Sequence, residues 1–233
     1  MEGISLGHTT FTQLENFTGL ESGFLLRLLN TLSNEYQIVK KEKPLFPNNR
    51  KITKYSCTNN FIYFWFKYVF SFQSILELDH TSGVLDKISK EQNTLLGFAY
   101  ENLCKEYIFD VASRSHPGRS GSNKHGKEAL EVLKHENILE IGKWWDKSGE
   151  IDIILRTDNN TVLLVECKLA VQQITDKSIT SFIKTANRID AIKSKNKKLL
   201  FFTAEECPAE TKRLLDKNNI GVVEVHANSL ATY

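Results

Sequence analysis

The pattern of apolar and polar positions changes character three times along the chain. In the first stretch, Leu14 and Phe17 lie on a short helix that Thr12 can cap and the Thr18-Gly19 turn ends. Phe24, Leu25, Leu28, Leu29 and Leu32 then repeat at helical spacing. Ile38-Val39 and Ile52–Cys57 read as short strands flanking a loop with Pro44, Pro47, Asn48 and Asn49. Two helices followed by a two-stranded wing predict a partial winged helix-turn-helix over residues 1–59. Its usual first helix would precede Met1, as expected of one piece of a longer design.

The second stretch, residues 60–90, is a connector dominated by one aromatic helix. Eight of the twelve residues Phe61–Phe72 are Phe, Trp or Tyr. Rings at this density are expected to pack between flanking domains or against a partner. The third stretch, residues 91–233, alternates the two periods. A helix is predicted at about Gln92–Val111, then strands near Ile138–Trp144, Glu150–Arg156 and Val162–Lys168. A helix over Asp176–Lys193, a strand over Lys198–Thr203, a helix over Ala209–Lys217 and a strand over Gly221–His226 complete it. This order predicts an α/β fold, a mixed sheet covered by helices on both faces.

Candidate chemistry sits in the second and third strands of that sheet. Strand side chains alternate between faces. One face of the pair reads Ile151, Ile153, Leu155, Leu163, Val165 and Cys167. The other reads Ile154, Val162 and Leu164, with Asp152, Glu166 and Lys168 at one end. Both faces are apolar enough for a central, doubly covered pair, where three charges are costly unless compensated. A two-residue turn at Asn159-Asn160 would oppose Asp152 to Cys167 and separate the acids. A three-residue turn at Asp158–Asn160 pairs Thr157 with Thr161, hence Asp152 with Glu166. The hydrophobic pattern selects the second register. Two adjacent carboxylates need a proton or a cation between them. All-oxygen ligation suits Mg²⁺ or Mn²⁺, and a nearby lysine can orient or deprotonate water and stabilise charge on phosphorus. Glu101 shares a helical stripe with Gly97, Cys104 and Ile108 and can face the same sheet as a further ligand; Glu150 is a weaker candidate.

An Asp, thirteen residues, then Glu-x-Lys on paired strands, after a helix with an inward Glu, resembles the PD-(D/E)XK, restriction-endonuclease-like nuclease superfamily over about Glu91–Ala227. Ile151 stands where that motif's name has proline. The resemblance implies that Asp152 and Glu166 bind metal, that Lys168 is the catalytic lysine, and that Glu101 is the helix acid. The strings Phe64-Trp65-Phe66, Leu96–Glu101, Ile141–Trp145, Glu150-Ile151-Asp152 and Glu166-Cys167-Lys168 also resemble the C-terminal region of archaeal and bacterial AAA+-type ATPases. There a winged helix precedes a nuclease-like domain, and a nucleotide-binding module stands upstream. The implied function is a Mg²⁺-dependent endonuclease acting on DNA. The alternative is a non-catalytic DNA-binding or regulatory part of an ATPase system, which would meet the ATPase through the aromatic connector.

Other patterns carry less. Gly121–Lys127 has P-loop spacing, but Glu128 follows instead of Ser or Thr and no strand precedes, so it reads as a mobile surface loop. His116, His125 and His135 match no zinc spacing and are expected at the surface. Of Trp144 and Trp145, one is expected in the core and the other as a cap over the acids, where it can stack on a base. Cys167 reads as a small core residue. Residues 40–54 hold Lys40, Lys41, Lys43, Arg50, Lys51 and Lys54 against Glu42, a local excess of +5 suited to phosphates.

Composition bounds the rest. The 233 residues carry 30 basic and 28 acidic side chains, net +2, which excludes a wholesale polyelectrolyte binder. Four scattered cysteines without a Cys-x-x-Cys pair, and no leader in the first ten residues, are expected of a cytoplasmic protein with reduced thiols. The apolar stretch 60–72 is shorter than the roughly 20 residues of a membrane span.

Overall fold

The computed structural model describes residues 1–47, 53–113 and 122–226, which group into two compact units. The first takes the described residues up to 43 and from 53 to 95. The second takes residues 44–47 and those from 96 onward.

In the first unit, α1 (Glu2–Ser5), α2 (Phe11–Thr18) and α3 (Ser22–Asn34) precede β1 (Val39–Glu42) and β2 (Lys54–Cys57), an antiparallel pair. Helix α1, which the periodicity does not predict because it is too short to show a period, buries Ile4 with Leu14, Leu25, Leu29, Val39 and Tyr55. The cap of α2 is Thr10, not Thr12: its hydroxyl accepts the Gln13 N–H and the Gln13 side chain returns to the Thr10 N–H, a capping box. Gly19, at φ 65°, ends the helix in the left-handed conformation.

The aromatic stretch is not one regular helix. It runs through α4 (Asn60–Phe64), a π turn at Trp65–Val69, a 3₁₀ turn at Phe70–Phe72 and α5 (Gln73–Leu76). Only Tyr68 is fully buried among its rings. Phe61, Trp65 and Phe70 stay exposed, and Phe61, Ile62, Trp65 and Phe66 line a shallow apolar groove. Lys67, Lys87 and the Tyr68 hydroxyl converge on Glu91, at 2.8, 2.6 and 3.0 Å. Glu91 belongs to α6 (Ser82–Ser113), which starts ten residues before the helix predicted at Gln92.

The second unit is a five-stranded mixed sheet between two layers of helices. Its strands are β3 (Ile138–Trp145), β4 (Glu150–Thr157), β5 (Thr161–Lys168), β6 (Asn196–Thr203) and β7 (Ile220–Glu224), in that spatial order. The first two pairings are antiparallel and the last two parallel. On one face α6 and α7 (Lys124–His135) pack Tyr107, Ile108 and Leu133 against Ile153, Leu155, Leu163 and Val165. On the other, α8 (Asp176–Asn187) and α9 (Ala209–Lys217) pack Phe182 and Leu215 against Ile154, Val162, Leu164 and Phe201. Cover on both faces explains why the middles of β4 and β5 are apolar throughout.

The sequence missed α7 and read its start as a loop. Asn123 caps it and is almost wholly buried, with both ends of its amide engaged. Oδ1 accepts the N–H groups of Gly126 and Val222, and Nδ2 donates to Asp216 and to the Ile220 carbonyl. Gly126 permits the approach: a Cβ there would stand 2.3 Å from the Val222 carbonyl oxygen. The glycines and small polar residues that imitate a phosphate loop thus serve helix-to-sheet packing. His135 is exposed as expected, His125 only partly so, and His116 lies outside the described residues.

Candidate functional site

Register is the first determinant of the site. Observed partners Ile153↔Val165, Ile154↔Leu164 and Leu155↔Leu163 follow the three-residue turn at Asp158–Asn160, which Asn160 closes at φ 66°. The ladder ends at Ile153↔Val165, with Asp152 and Glu166 the next residues at the same end of the hairpin. The acids therefore gather at one end of the hairpin, as the hydrophobic pattern predicts.

Strict alternation fails close to the acids. Between the pairs Gly142↔Ile154 and Trp144↔Ile151, β4 holds one more residue than β3, a bulge at Asp152-Ile153. Ile151 consequently packs with Ile154 and Trp144, on the face opposite to the one alternation gives it. The bulge also re-aims Asp152, whose Oδ2 accepts the backbone N–H of Cys167 at 2.8 Å. Cys167 itself is half-buried against the α6 and α7 core, the small packing residue expected.

Each remaining acid meets a lysine. Lys168 Nζ donates to Glu166 Oε1 at 2.8 Å, and Lys143 Nζ contacts Glu101 Oε2 from β3. These four side chains retain between 18% and 24% of their surface, open to solvent but strongly desolvated. Burial, with the charges of Glu166 and Glu101, pushes the Asp152 carboxyl up to about 8, against the pull of the Cys167 amide and Lys143. Burial also raises Glu166, opposed by Lys168. Burial alone would lower Lys168, yet the neighbouring Glu166 charge outweighs it and the ammonium is held more firmly. Glu150 is exposed at the same end and adds repulsion to Glu166.

Three carboxylates against two ammoniums leave a negative remainder, and the elevated acids register that deficit. Among the described residues no three His, Cys, Asp or Glu close into a preformed metal cage. Mg²⁺ asks for less: it takes one or two carboxylates and keeps waters or phosphate oxygens. The carboxylates of Asp152, Glu166 and Glu101 are the donor type that such a cation would take.

Lys143 was absent from the sequence-derived set. A four-residue turn at Asp146–Gly149 pairs Trp145 with Glu150, so a lysine two positions before Trp145 lands beside Asp152. That hairpin signal was readable. Trp144 and Trp145 are both buried, which removes the expected base-stacking cap over the acids. Of the basic residues assigned to nucleic acid, Lys40, Lys41 and Lys43 are exposed on or just after β1, although Lys40 is 3.0 Å from Glu42. Arg50 and Lys51 lie outside the described residues. No described helix is long and apolar enough to cross a membrane.

Residues 65–134 and 127–179 match the family DUF234, archaea bacterial proteins of unknown function. The chain resembles that family. The matched stretch holds all five charged residues of the site, Glu101, Lys143, Asp152, Glu166 and Lys168. An uncharacterised protein of Methanocaldococcus jannaschii is 30% identical over 172 residues, covering 72% of this chain and 34% of its own length. The chain thus matches about a third of that relative. No solved structure matches.

Proposed function

We propose that this protein is a metal-dependent nuclease that hydrolyses DNA phosphodiester bonds at Asp152, Glu166 and Lys168. The observation that supports the reading is the hairpin register, which brings the two acids to one end of β4 and β5 while the Lys168 ammonium rests on Glu166. Asp152 and Glu166, with Glu101, would hold Mg²⁺ or Mn²⁺. When bound, the metal supplies electrophilic activation of the phosphodiester. Lys168 orients the attacking water and offsets charge building on phosphorus. The Cys167 amide fixes Asp152, so its carboxylate needs little reorganisation. Lys40, Lys41 and Lys43, with Arg50 and Lys51, supply phosphate contacts without reading sequence.

The test is cleavage of plasmid and branched DNA in Mg²⁺ or Mn²⁺. Lys168→Ala is expected to lower the rate at least ~100-fold, the usual scale for a positioned proton-transfer or charge-stabilising group. Equal rates in the two proteins would overturn the assignment.

A second reading, a non-catalytic regulatory part of an AAA+-type ATPase system, is favoured by the exposed aromatic groove at Phe61 and Trp65. It predicts DNA binding without metal-dependent cleavage, and loss of partner binding in Trp65→Ala.

A further inference from the structure

Lys168 is committed to Glu166, so the contact between Lys143 and Glu101 is a separate charge pair in the same site. Lys143 acts on Asp152 as well as on Glu101, which sets its ammonium among the negative charges. A divalent cation arriving there meets an ammonium already occupying one of its donors. We propose that Lys143 is a resident counter-cation which the metal displaces from Glu101, releasing the ammonium to the phosphate of a bound nucleic acid. This rests on the nuclease reading of the same residues.

Charge bookkeeping favours exchange over a fixed pair. Three carboxylates, two ammoniums, one dication and one phosphodiester sum to zero. Without the phosphodiester, the metal-loaded site carries an excess positive charge that attracts one. Lysine suits this role because its compact charge sits on a flexible four-carbon stem, with no planar fork to bind it to one partner. Its base on β3 adjoins the bulge at Asp152-Ile153, so the ammonium can change partners while the strand stays in place. A purely structural ion pair makes the opposite prediction: its removal would strand Glu101 and weaken the whole site.

The experiment titrates the full chain with Mn²⁺, following thermal unfolding, for wild type, Lys143→Met and Lys143→Arg. Lys143→Met is expected to bind Mn²⁺ about tenfold more tightly, and Lys143→Arg about as wild type. A labelled DNA duplex in Ca²⁺ is expected to bind Lys143→Met more weakly, with a salt dependence reduced by about one phosphate contact. Unchanged or weaker Mn²⁺ affinity in Lys143→Met, or unchanged DNA affinity, overturns the exchange while the metal site stands. A wild type that Mn²⁺ does not stabilise removes the metal site itself. Should Lys143→Met fail to fold, the Lys143 side-chain nitrogen resonance of the wild type answers the same question. It is expected to shift during Mg²⁺ titration, and a stationary resonance overturns the proposal.

Discussion

Asp152 accepts the backbone N–H of Cys167 at 2.8 Å across the β4–β5 hairpin, and this bond holds a carboxylate where burial and two other acids oppose its charge. One amide does not offset that opposition, so the carboxyl is pushed up to about 8. Between the ordinary carboxyl range and that value, the folded chain keeps a proton that the unfolded chain has released. Stability therefore falls as pH rises through that window. In chelator, Asp152→Asn is expected to flatten the fall and to be more stable than wild type at pH 8 by roughly 2 kcal/mol. Thermal unfolding from pH 5 to 8.5 checks this. Added Mn²⁺ should stabilise the wild type and leave the variant unmoved.

Asn123 makes four hydrogen bonds, and two of them, to the Ile220 carbonyl and from the Val222 N–H, tie the start of α7 to β7. Asn123→Ala removes the cap and strands the Val222 N–H and the Ile220 carbonyl, a cost of roughly 3 kcal/mol. Gly126→Ala drives a methyl into the Val222 carbonyl oxygen and should cost roughly 2 kcal/mol through backbone displacement. Denaturant unfolding measures both. A neutral Gly126→Ala would show that the helix can retreat from the sheet.

Glu91 is held well below the usual carboxylate range, at about 2, first by Lys67 and then by Lys87. A depressed acid contributes stability above its unfolded pKa and loses it as pH falls through the folded value. Glu91→Gln should therefore be less stable than wild type at pH 7, by roughly 1 kcal/mol after solvent screening. The difference should close between about pH 4.5 and 2. Paired acid titrations followed by circular dichroism test the convergence.

What the sequence made legible follows physical coupling range. The β4–β5 register was readable because a one-residue slip would split Asp152 from Glu166 and Lys168 between the two buried faces, a penalty written into the pattern itself. The bulge was not readable from β4 alone: it is a mismatch with β3, and it moves Ile151 to the other face. Asp152, Glu166 and Lys168 announced themselves as charges in an apolar pair. The β3–β4 turn could have placed Lys143 beside Asp152, but its pairing with Glu101, 42 residues away in another element, was not readable. Helix α7 was hidden for a similar reason. Its cap pairs with residues almost a hundred positions later, and glycine and asparagine serving a distant strand look locally like loop composition.

That distance also orders events during synthesis. The amide of Asn123 meets its partners only once Ile220 and Val222 have left the ribosome, 97 and 99 residues further on. Until then α7 lacks its anchor, the sheet lacks its last parallel strand, and the apolar side chains of β6 have one flank uncovered. Long-range closure of this kind is slow and leaves nascent chains open to aggregation. Chains arrested before β7 should accordingly be degraded by protease where the released protein resists.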